Sequence, residues 1–270
     1  MKGLKSFFEN RPVLSAISIT ITWFIVIMLV SGMAAGALKK DFGDPVTTLI
    51  GHMAGIIFVI ILLWITGWLK VAGITQPGKY QVWLISIAGT IYFALASLYS
   101  FYGTLRFDVS TLTDFSSSAN ILKASIANCM GEEILFRGAF FYILIRSWGN
   151  TRKGMIRGVA VTSGIFALFH LLHVAFYGQS PGSALILVLE VFIISAWWAS
   201  MVLKGGSIWP AFLSHFAVNT IVILQGTTQN MIQNDLHVYL KLLVFSLPLG
   251  ITAIWLLLKM PDKRNQNMIN

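Results

Sequence analysis

Charged side chains are rare in this sequence: they make up 11% of its 270 residues, whereas an ordinary soluble domain carries about 25%. Hydrophobic residues make up 56%. Apolar runs long enough to cross a hydrocarbon core, which takes about 20 helical residues, recur along the whole chain. They leave no room for a separate soluble domain, so residues 1–270 are predicted to form a single all-α transmembrane domain.

Cysteine is almost absent as well. Cys129 is the only one in the sequence, which excludes an intramolecular disulfide and leaves the redox compartment open. Internal repeats and low-complexity tracts are also missing. The net charge of +9 would suggest a nucleic-acid partner in a soluble protein. Here the basic residues sit in short loops between apolar runs, so membrane topology explains the charge and no nucleic-acid partner is expected.

Eight apolar runs predict a polytopic membrane protein with eight transmembrane helices. The first run is too long for the roughly 7 to 15 apolar residues of a signal peptide, so we expect it to be retained as a helix. An even number of crossings places both termini on the same side of the membrane. The predicted helices cover residues 13–38, 46–69, 81–105, 119–145, 156–177, 183–203, 207–225 and 238–259.

The distribution of the 19 basic residues indicates which side holds the termini. By the positive-inside rule, loops rich in Lys and Arg face the cytoplasm. Five basic residues fall on the far side, namely Lys39, Lys40, Arg106, Lys123 and Lys241, and Arg137 lies within a helix. Both termini are therefore predicted to be cytoplasmic. Thirteen basic residues fall on the same side of the membrane as the termini: Lys2, Lys5, Arg11, Lys70, Lys79, Arg146, Arg152, Lys153, Arg157, Lys204, Lys259, Lys263 and Arg264.

Ionisable side chains inside a bilayer are costly, so each one is a hypothesis about function. The fourth predicted helix carries Glu132, Glu133 and Arg137. Glu133 and Arg137 are four positions apart with the acid first, a spacing that favours an ion pair on one helix face. Glu132 is rotated by about 100° and can face a cavity, where it would suit a general base acting on water. The alternative is a buried ion network that only ties helices together.

Two histidines and an asparagine supply the other polar groups of the predicted spans. His170 lies in the fifth predicted helix, and His215 and Asn219 lie one turn apart in the seventh. Counting at about 1.5 Å per residue from the cytoplasmic helix ends places Glu132 and His170 at similar depths and His215 closer to the cytoplasmic mouth. The site is therefore expected to open toward the cytoplasmic half of the membrane.

These residues allow two chemistries. His215 and Asn219 could stabilise the oxyanion of a tetrahedral intermediate while Glu132 and His170 activate water. Alternatively, Glu132, His170 and His215 could bind a zinc ion and leave a fourth position for water. The sequence leaves the cofactor unknown, with zinc as the possibility.

Other polar residues in the spans are expected to be structural. A nucleophilic pair of Cys129 with a histidine is disfavoured, since buried cysteine usually behaves as a small apolar group. His173 is expected near the outer end of the fifth helix, His52 within the second, and Glu190 alone in the sixth. Glu190 could also be a neighbour that orients a histidine.

Three motifs in order carry a resemblance to a known family. They are Glu132-Glu133-xxx-Arg137, Phe166-xxx-His170 and His215-xxx-Asn219, on three separate helices. The pattern resembles the CPBP family, which comprises the type II CAAX prenyl endopeptidases and the bacterial Abi proteins linked to bacteriocin processing and self-immunity. The resemblance covers a core of approximately residues 119–225, and no motif position departs from the pattern.

The resemblance implies an eight-helix intramembrane endopeptidase in which the counterparts of Glu132 and His170 activate water and those of His215 and Asn219 bind the oxyanion. The family is named a metalloprotease, yet its motifs have also been interpreted as a metal-independent glutamate protease. The sequence has no HExxH, GxSG or GxGD signature of other intramembrane proteases.

The function predicted from these observations is cleavage of a peptide or lipidated peptide at the membrane, in contact with lipids. The alternative is a non-catalytic immunity or scaffold protein that binds a peptide in the same cavity. Proton-coupled transport is disfavoured because no inverted repeat is present. The absence of organelle signals favours a bacterial inner membrane. The substrate and the oligomeric state stay open.

Overall fold

The computed structural model describes residues 2–102, 115–149, 151–224 and 236–262. These segments are mostly helical and contain no β-strand, which confirms the all-α prediction. A π-helical segment, Ile134–Phe140, joins α5 to α6 without a break. The helices are α1 Lys2–Asn10, α2 Pro12–Leu38, α3 Pro45–Ile65, α4 Tyr80–Tyr102, α5 Phe115–Glu133, α6 Phe141–Trp148, α7 Arg152–Phe169, α8 Leu172–Tyr177, α9 Pro181–Gly205, α10 Trp209–Leu224 and α11 Leu236–Leu258.

Helices occur at all eight predicted positions, although not with the predicted ends. The second helix stops at Ile65 rather than at residue 69. A continuous helix over 156–177 is wrong, because α7 ends at Phe169 and α8 starts only at Leu172. Backbone N–H groups of residues 170 and 171 bond to carbonyls three positions earlier, a tightened turn that closes α7. The predicted ends at residues 105 and 225 lie outside the described residues.

Among the described residues, five helices are long and apolar enough to cross a membrane, namely α2, α3, α4, α9 and α11. Proline occupies the first turn of three of them, α2, α3 and α9, where its missing N–H costs nothing. The helices that carry the motifs, α5 to α6, α7 and α10, are not among the five. The integral membrane class is thereby supported, while the crossing of all eight stays a prediction.

The helix from α5 to α6 lies at the centre of the bundle. Every residue of the π-helical segment Ile134–Phe140 is buried. On one side α3 packs against α5, and α2 packs against α3; on the other, α10 packs against both α4 and α5. The α2–α3 contact is close because Gly51 and Gly55 of α3 lie against side chains of α2. Apolar helices therefore surround the helix with the most ionisable groups.

Both described chain ends lie at the same end of the bundle, which we call the basic end. Glu9 of α1 pairs with Arg146 near the end of α6 at 2.6 Å. Arg152, at the start of α7, pairs with Asp262 beyond α11 at 3.0 Å. An even number of crossings requires this arrangement. The basic residues at positions 106, 263 and 264, which enter the orientation prediction, lie outside the described residues.

A non-helical segment, residues 66–79, covers the basic end between α3 and α4. Its backbone binds the start of α10: the Ile208 N–H donates to the Gly73 carbonyl at 3.2 Å, and the Trp209 indole N–H donates to the Ile74 carbonyl at 2.8 Å. Ser207 and Ile208 are fully buried beneath it. The helix α10 therefore begins inside the bundle rather than at its surface.

Candidate active site

Two helix faces meet in the centre of the bundle. On α5, Cys129 and Glu133 are four positions apart, and on α10, His215 and Asn219 are four positions apart, so each pair projects from one face. His215 Nδ1 lies 2.9 Å from Glu133 Oε1. One turn away, Asn219 Nδ2 donates to Cys129 Sγ at 3.3 Å. The two motifs thus contact each other through two successive polar pairs.

Glu133 binds two partners with one oxygen. Besides His215, Arg137 Nη1 lies 2.9 Å from the same Oε1, and both side chains of this ion pair are completely buried. The Glu133–Arg137 pair that the spacing predicts is confirmed. Arg137 Nη2 also donates to Ser195 Oγ of α9 at 2.9 Å. Glu133 is therefore a bridge from the arginine to the histidine and not only the arginine's counter-ion.

Glu132 faces the other nitrogen of the same imidazole. Its Oε2 lies 3.7 Å from His215 Nε2, and its side chain is 21% exposed while that of Glu133 is inaccessible. The Asn128 side chain, one turn earlier on α5, hydrogen-bonds to the Glu132 carboxylate. The rotation of about 100° between successive helical residues separates the two carboxylates. One is enclosed and the other is partly exposed.

The tautomer of His215 follows from its neighbours. The ionised carboxylate of Glu133 can only accept a hydrogen bond, so Nδ1 carries the hydrogen. A neutral His215 then has a lone pair at Nε2, toward Glu132. It can donate from Nε2 only as an imidazolium.

His215 does not lie nearer the mouth than Glu132, and that expectation is wrong. The two side chains are at the same level, within 3.7 Å. The predicted depth of His215 was counted from Ser207, as if this residue lay at the surface of the bundle. Ser207 is fully buried beneath residues 66–79. The start of α10 is recessed, so the same number of residues reaches deeper into the bundle.

His170 lies at the carboxyl end of α7 and joins the site through an aromatic ring. Its Nδ1 lies 3.1 Å from the Phe166 carbonyl oxygen, an acceptor, so a neutral His170 carries its hydrogen on Nδ1. The Phe166 ring makes edge contacts with His170 at 5.2 Å and with His215 at 6.2 Å between centroids. The break in the helix leaves the imidazole half-buried rather than enclosed.

Two residues of α9, Ser195 and Trp198, belong to the site and were missed by the sequence analysis. Ser195 binds Arg137, and the Trp198 ring stacks on His215 with centroids 4.5 Å apart. Their spacing of three positions, one helical turn, is the signal that could have indicated a shared face.

The remaining polar residues lie elsewhere. Glu190 is buried on α9 and has Tyr239 of α11 as its electrostatic neighbour. His52 of α3 lies 6.2 Å from the Trp23 ring of α2. Cys129 is the exception: it is fully buried within the site, where it hydrogen-bonds to both Asn219 and His215. The side chain of His173 lies outside the described residues.

The donor geometry does not fit a zinc site built from Glu132, His170 and His215. Within the described segments, no group of three His, Cys, Asp or Glu side chains is arranged to hold a metal ion. A zinc site needs three protein ligands converging at about 2 Å.

A comparison with protein families matches part of the chain. The family model described as "Type II CAAX prenyl endopeptidase Rce1-like" matches residues 114–221. This range contains all three motifs and confirms the predicted resemblance over that part of the chain. Neither the curated proteins nor the solved structures contain a significant match.

Proposed function

We propose that this chain is an intramembrane endopeptidase that hydrolyses a peptide bond of a membrane-associated substrate, of the CAAX type or a peptide precursor. The family match over the motif region suggests CAAX-type protease activity. One structural observation carries the proposal further: His215 lies between two carboxylates, one buried at its Nδ1 and one accessible at its Nε2. A purely structural ion network needs no second, accessible carboxylate.

Hydrolysis requires activation of a water molecule. Glu132 is the proposed general base, with His170 holding the same water through the Nε2 lone pair. As Glu132 removes a proton, the water oxygen bonds to the scissile carbonyl carbon and the carbonyl electrons move onto oxygen. The intermediate then collapses, the C–N bond breaks, and the proton on Glu132 passes to the leaving amine. All atoms come from the peptide and one water.

The oxyanion needs hydrogen-bond donors placed where the charge develops. Asn219 uses one amide hydrogen on Cys129 and has a second to offer. His215 supplies a donor from Nε2 in its imidazolium form, which Glu133 stabilises from the opposite side of the ring. Removal of one such donor typically costs about 10²–10³ in kcat.

The cellular setting follows from charge and topology. Both described chain ends lie at the basic end of the bundle, and the positive-inside rule assigns that end to the cytoplasm. We propose a bacterial inner membrane protein with a site reached from the cytoplasmic side. Its partners are the peptide or lipidated-peptide substrate and the surrounding lipids.

The test is cleavage of prenylated and unprenylated peptides by the purified protein in detergent or proteoliposomes. We expect Glu132→Gln to lower kcat by about 10²–10⁴-fold, the range supplied by general base catalysis. Glu190→Gln is the matched control, since it neutralises another carboxyl inside the spans away from the histidines, and it should retain activity. Excess chelator should leave the rate unchanged.

Parent-level cleavage by folded Glu132→Gln would refute the proposed base. Loss of activity on chelation, restored by zinc, would contradict the metal-free mechanism but not the protease assignment. Binding of peptide without cleavage by the parent protein would favour a non-catalytic binding protein.

A further inference from the structure

Trp198 contacts both partners of Glu133. Its ring stacks on the His215 imidazole, with centroids 4.5 Å apart and planes inclined by 26°. The same ring lies 5.1 Å from Cζ of Arg137. Trp198 is buried, with 5% of its surface exposed. The indole is thus in contact with the imidazole and the guanidinium that Glu133 joins.

The indole itself is held in place. Trp198 Nε1 donates to Ser214 Oγ at 3.0 Å, and Ser214 directly precedes His215 on α10. One turn earlier on α9, Ser195 accepts a hydrogen bond from Arg137. The helix α9 therefore fixes the arginine and the histidine through two residues on one face.

His215 is held at Nδ1 by Glu133 and also hydrogen-bonds to the Cys129 side chain. Rotation about the Cβ–Cγ bond of His is broad and only roughly two-fold, so contacts along the ring edge leave the ring plane able to tilt. A stacked indole restricts that tilt. Its negative π face also stabilises a cation, which suits an imidazolium, and tryptophan is the best of the aromatic residues for this.

We propose that Trp198 is a positioning residue for His215, and this inference rests on the proposed peptide hydrolysis. Its ring fixes the imidazole plane so that Nδ1 meets Glu133 while Nε2 faces Glu132. Trp198 touches neither water nor peptide in this role and acts only through His215.

The neighbouring residue provides a matched control. Trp197 lies on the same helix and is 1% exposed, but it packs against Gly89 of α4 rather than against the histidine. Replacing either tryptophan by leucine removes a buried indole from α9 and should lower stability by similar amounts. Only the Trp198 substitution should disturb the imidazole.

The kinetic test compares kcat and KM for these variants on a cleavable peptide. We expect Trp198→Leu to lower kcat by about 10- to 100-fold, as expected for a misplaced catalytic group, with KM nearly unchanged. Trp198→Phe keeps a stacking ring and should recover most of the rate. Trp197→Leu should retain a kcat close to that of the parent. Equal losses of kcat in the two leucine variants would overturn the proposal.

A spectroscopic readout separates this proposal from the proposed function. With ¹³C-labelled histidine, the His215 ring signal can be assigned by its loss in His215→Gln, and the indole ring current should displace it. We expect the signal to move in Trp198→Leu, to move less in Trp198→Phe and to stay in place in Trp197→Leu. This holds whether or not the parent protein cleaves any peptide.

A second variant covers a failure of Trp198→Leu to fold. Ser214→Ala releases the indole N–H without removing the ring, and it should also move the His215 signal. An unmoved signal in folded Trp198→Leu, or in Ser214→Ala if the first variant is unfolded, would show that Trp198 does not position His215.

Discussion

The two carboxylate oxygens of Glu133 have different surroundings. Both Arg137 Nη1 and His215 Nδ1 lie 2.9 Å from Oε1, whereas the buried Oε2 has no hydrogen-bond partner among the described residues. A buried charge left without its counter-ion is strongly destabilising. The residue therefore contributes to stability through Arg137 and to the site through His215.

Substitution of Glu133 should affect both properties. Glu133→Gln removes the counter-ion of the buried Arg137, so we expect a loss of about 3–5 kcal/mol in the free energy of unfolding. Ser195→Ala removes one hydrogen bond from the same guanidinium and should cost about 1–3 kcal/mol. Unfolding of each variant in detergent, monitored by circular dichroism, measures its loss in the free energy of unfolding relative to the parent. Equal unfolding midpoints for Glu133→Gln and the parent would contradict this account.

At the scale of single residues, spacing along a helix predicts contacts within that helix. The four-residue separation predicts the Glu133–Arg137 ion pair, and the pair is present. The contact of Glu133 with His215 spans 82 positions and depends on how α5 and α10 pack, which spacing does not reveal. Ser195 and Trp198 were missed because a serine and a tryptophan are unremarkable in an apolar helix.

At the scale of helices, apolar runs predict where helices occur but not where they end. A run of apolar residues continues through the turn at His170 and past Ile65, although the helices stop. The ends depend on backbone hydrogen bonds and on contacts with distant residues. Residues 66–79, for example, leave the helical path to bind the start of α10.

Gly73 should be critical for that segment. It has a φ of +79°, and an added Cβ would lie 3.0 Å from Ser207 Cα and 3.2 Å from the Gly206 carbonyl oxygen. We expect Gly73→Ala to lower the unfolding midpoint more than Gly178→Ala, which has a φ of +67° with open space around it. The control variant incurs only the backbone strain, about 1–2 kcal/mol.

Limited proteolysis should show where Gly73→Ala destabilises the protein. Cleavage within residues 66–79 should become faster in Gly73→Ala and not in Gly178→Ala. Similar midpoints and cleavage rates for the two variants would show that the close approach to Ser207 contributes little.

At the scale of the whole molecule, five helices of the described residues are long and apolar enough to cross a membrane, and the motif helices are not among them. The helices α5 and α7 are less apolar than these five, whereas α10 is as apolar but has only 16 described residues. Composition alone therefore indicates a membrane protein but identifies its central helices least clearly. The position of both described chain ends at the basic end agrees with an even number of crossings.

The orientation can be tested with single cysteines. In a Cys129→Ala background, a cysteine replacing exposed Lys70 at the basic end should resist a membrane-impermeant maleimide in intact bacteria. A cysteine replacing exposed Lys39, in the turn between α2 and α3, should react. Both should react after the cells are opened. The reverse pattern would place the basic end outside the cytoplasm, against the positive-inside rule.

The short reach of the Glu133–Arg137 pair has a consequence for biosynthesis. Ser195 and His215 follow their partners by 58 and 82 positions. At about 5–20 residues per second, the ribosome needs roughly 4 to 16 s to make His215 after Glu133. During that interval Glu133 lacks its histidine partner. Because Glu133 lies four residues before Arg137, the arginine is already neutralised within its own helix before the later helices are made.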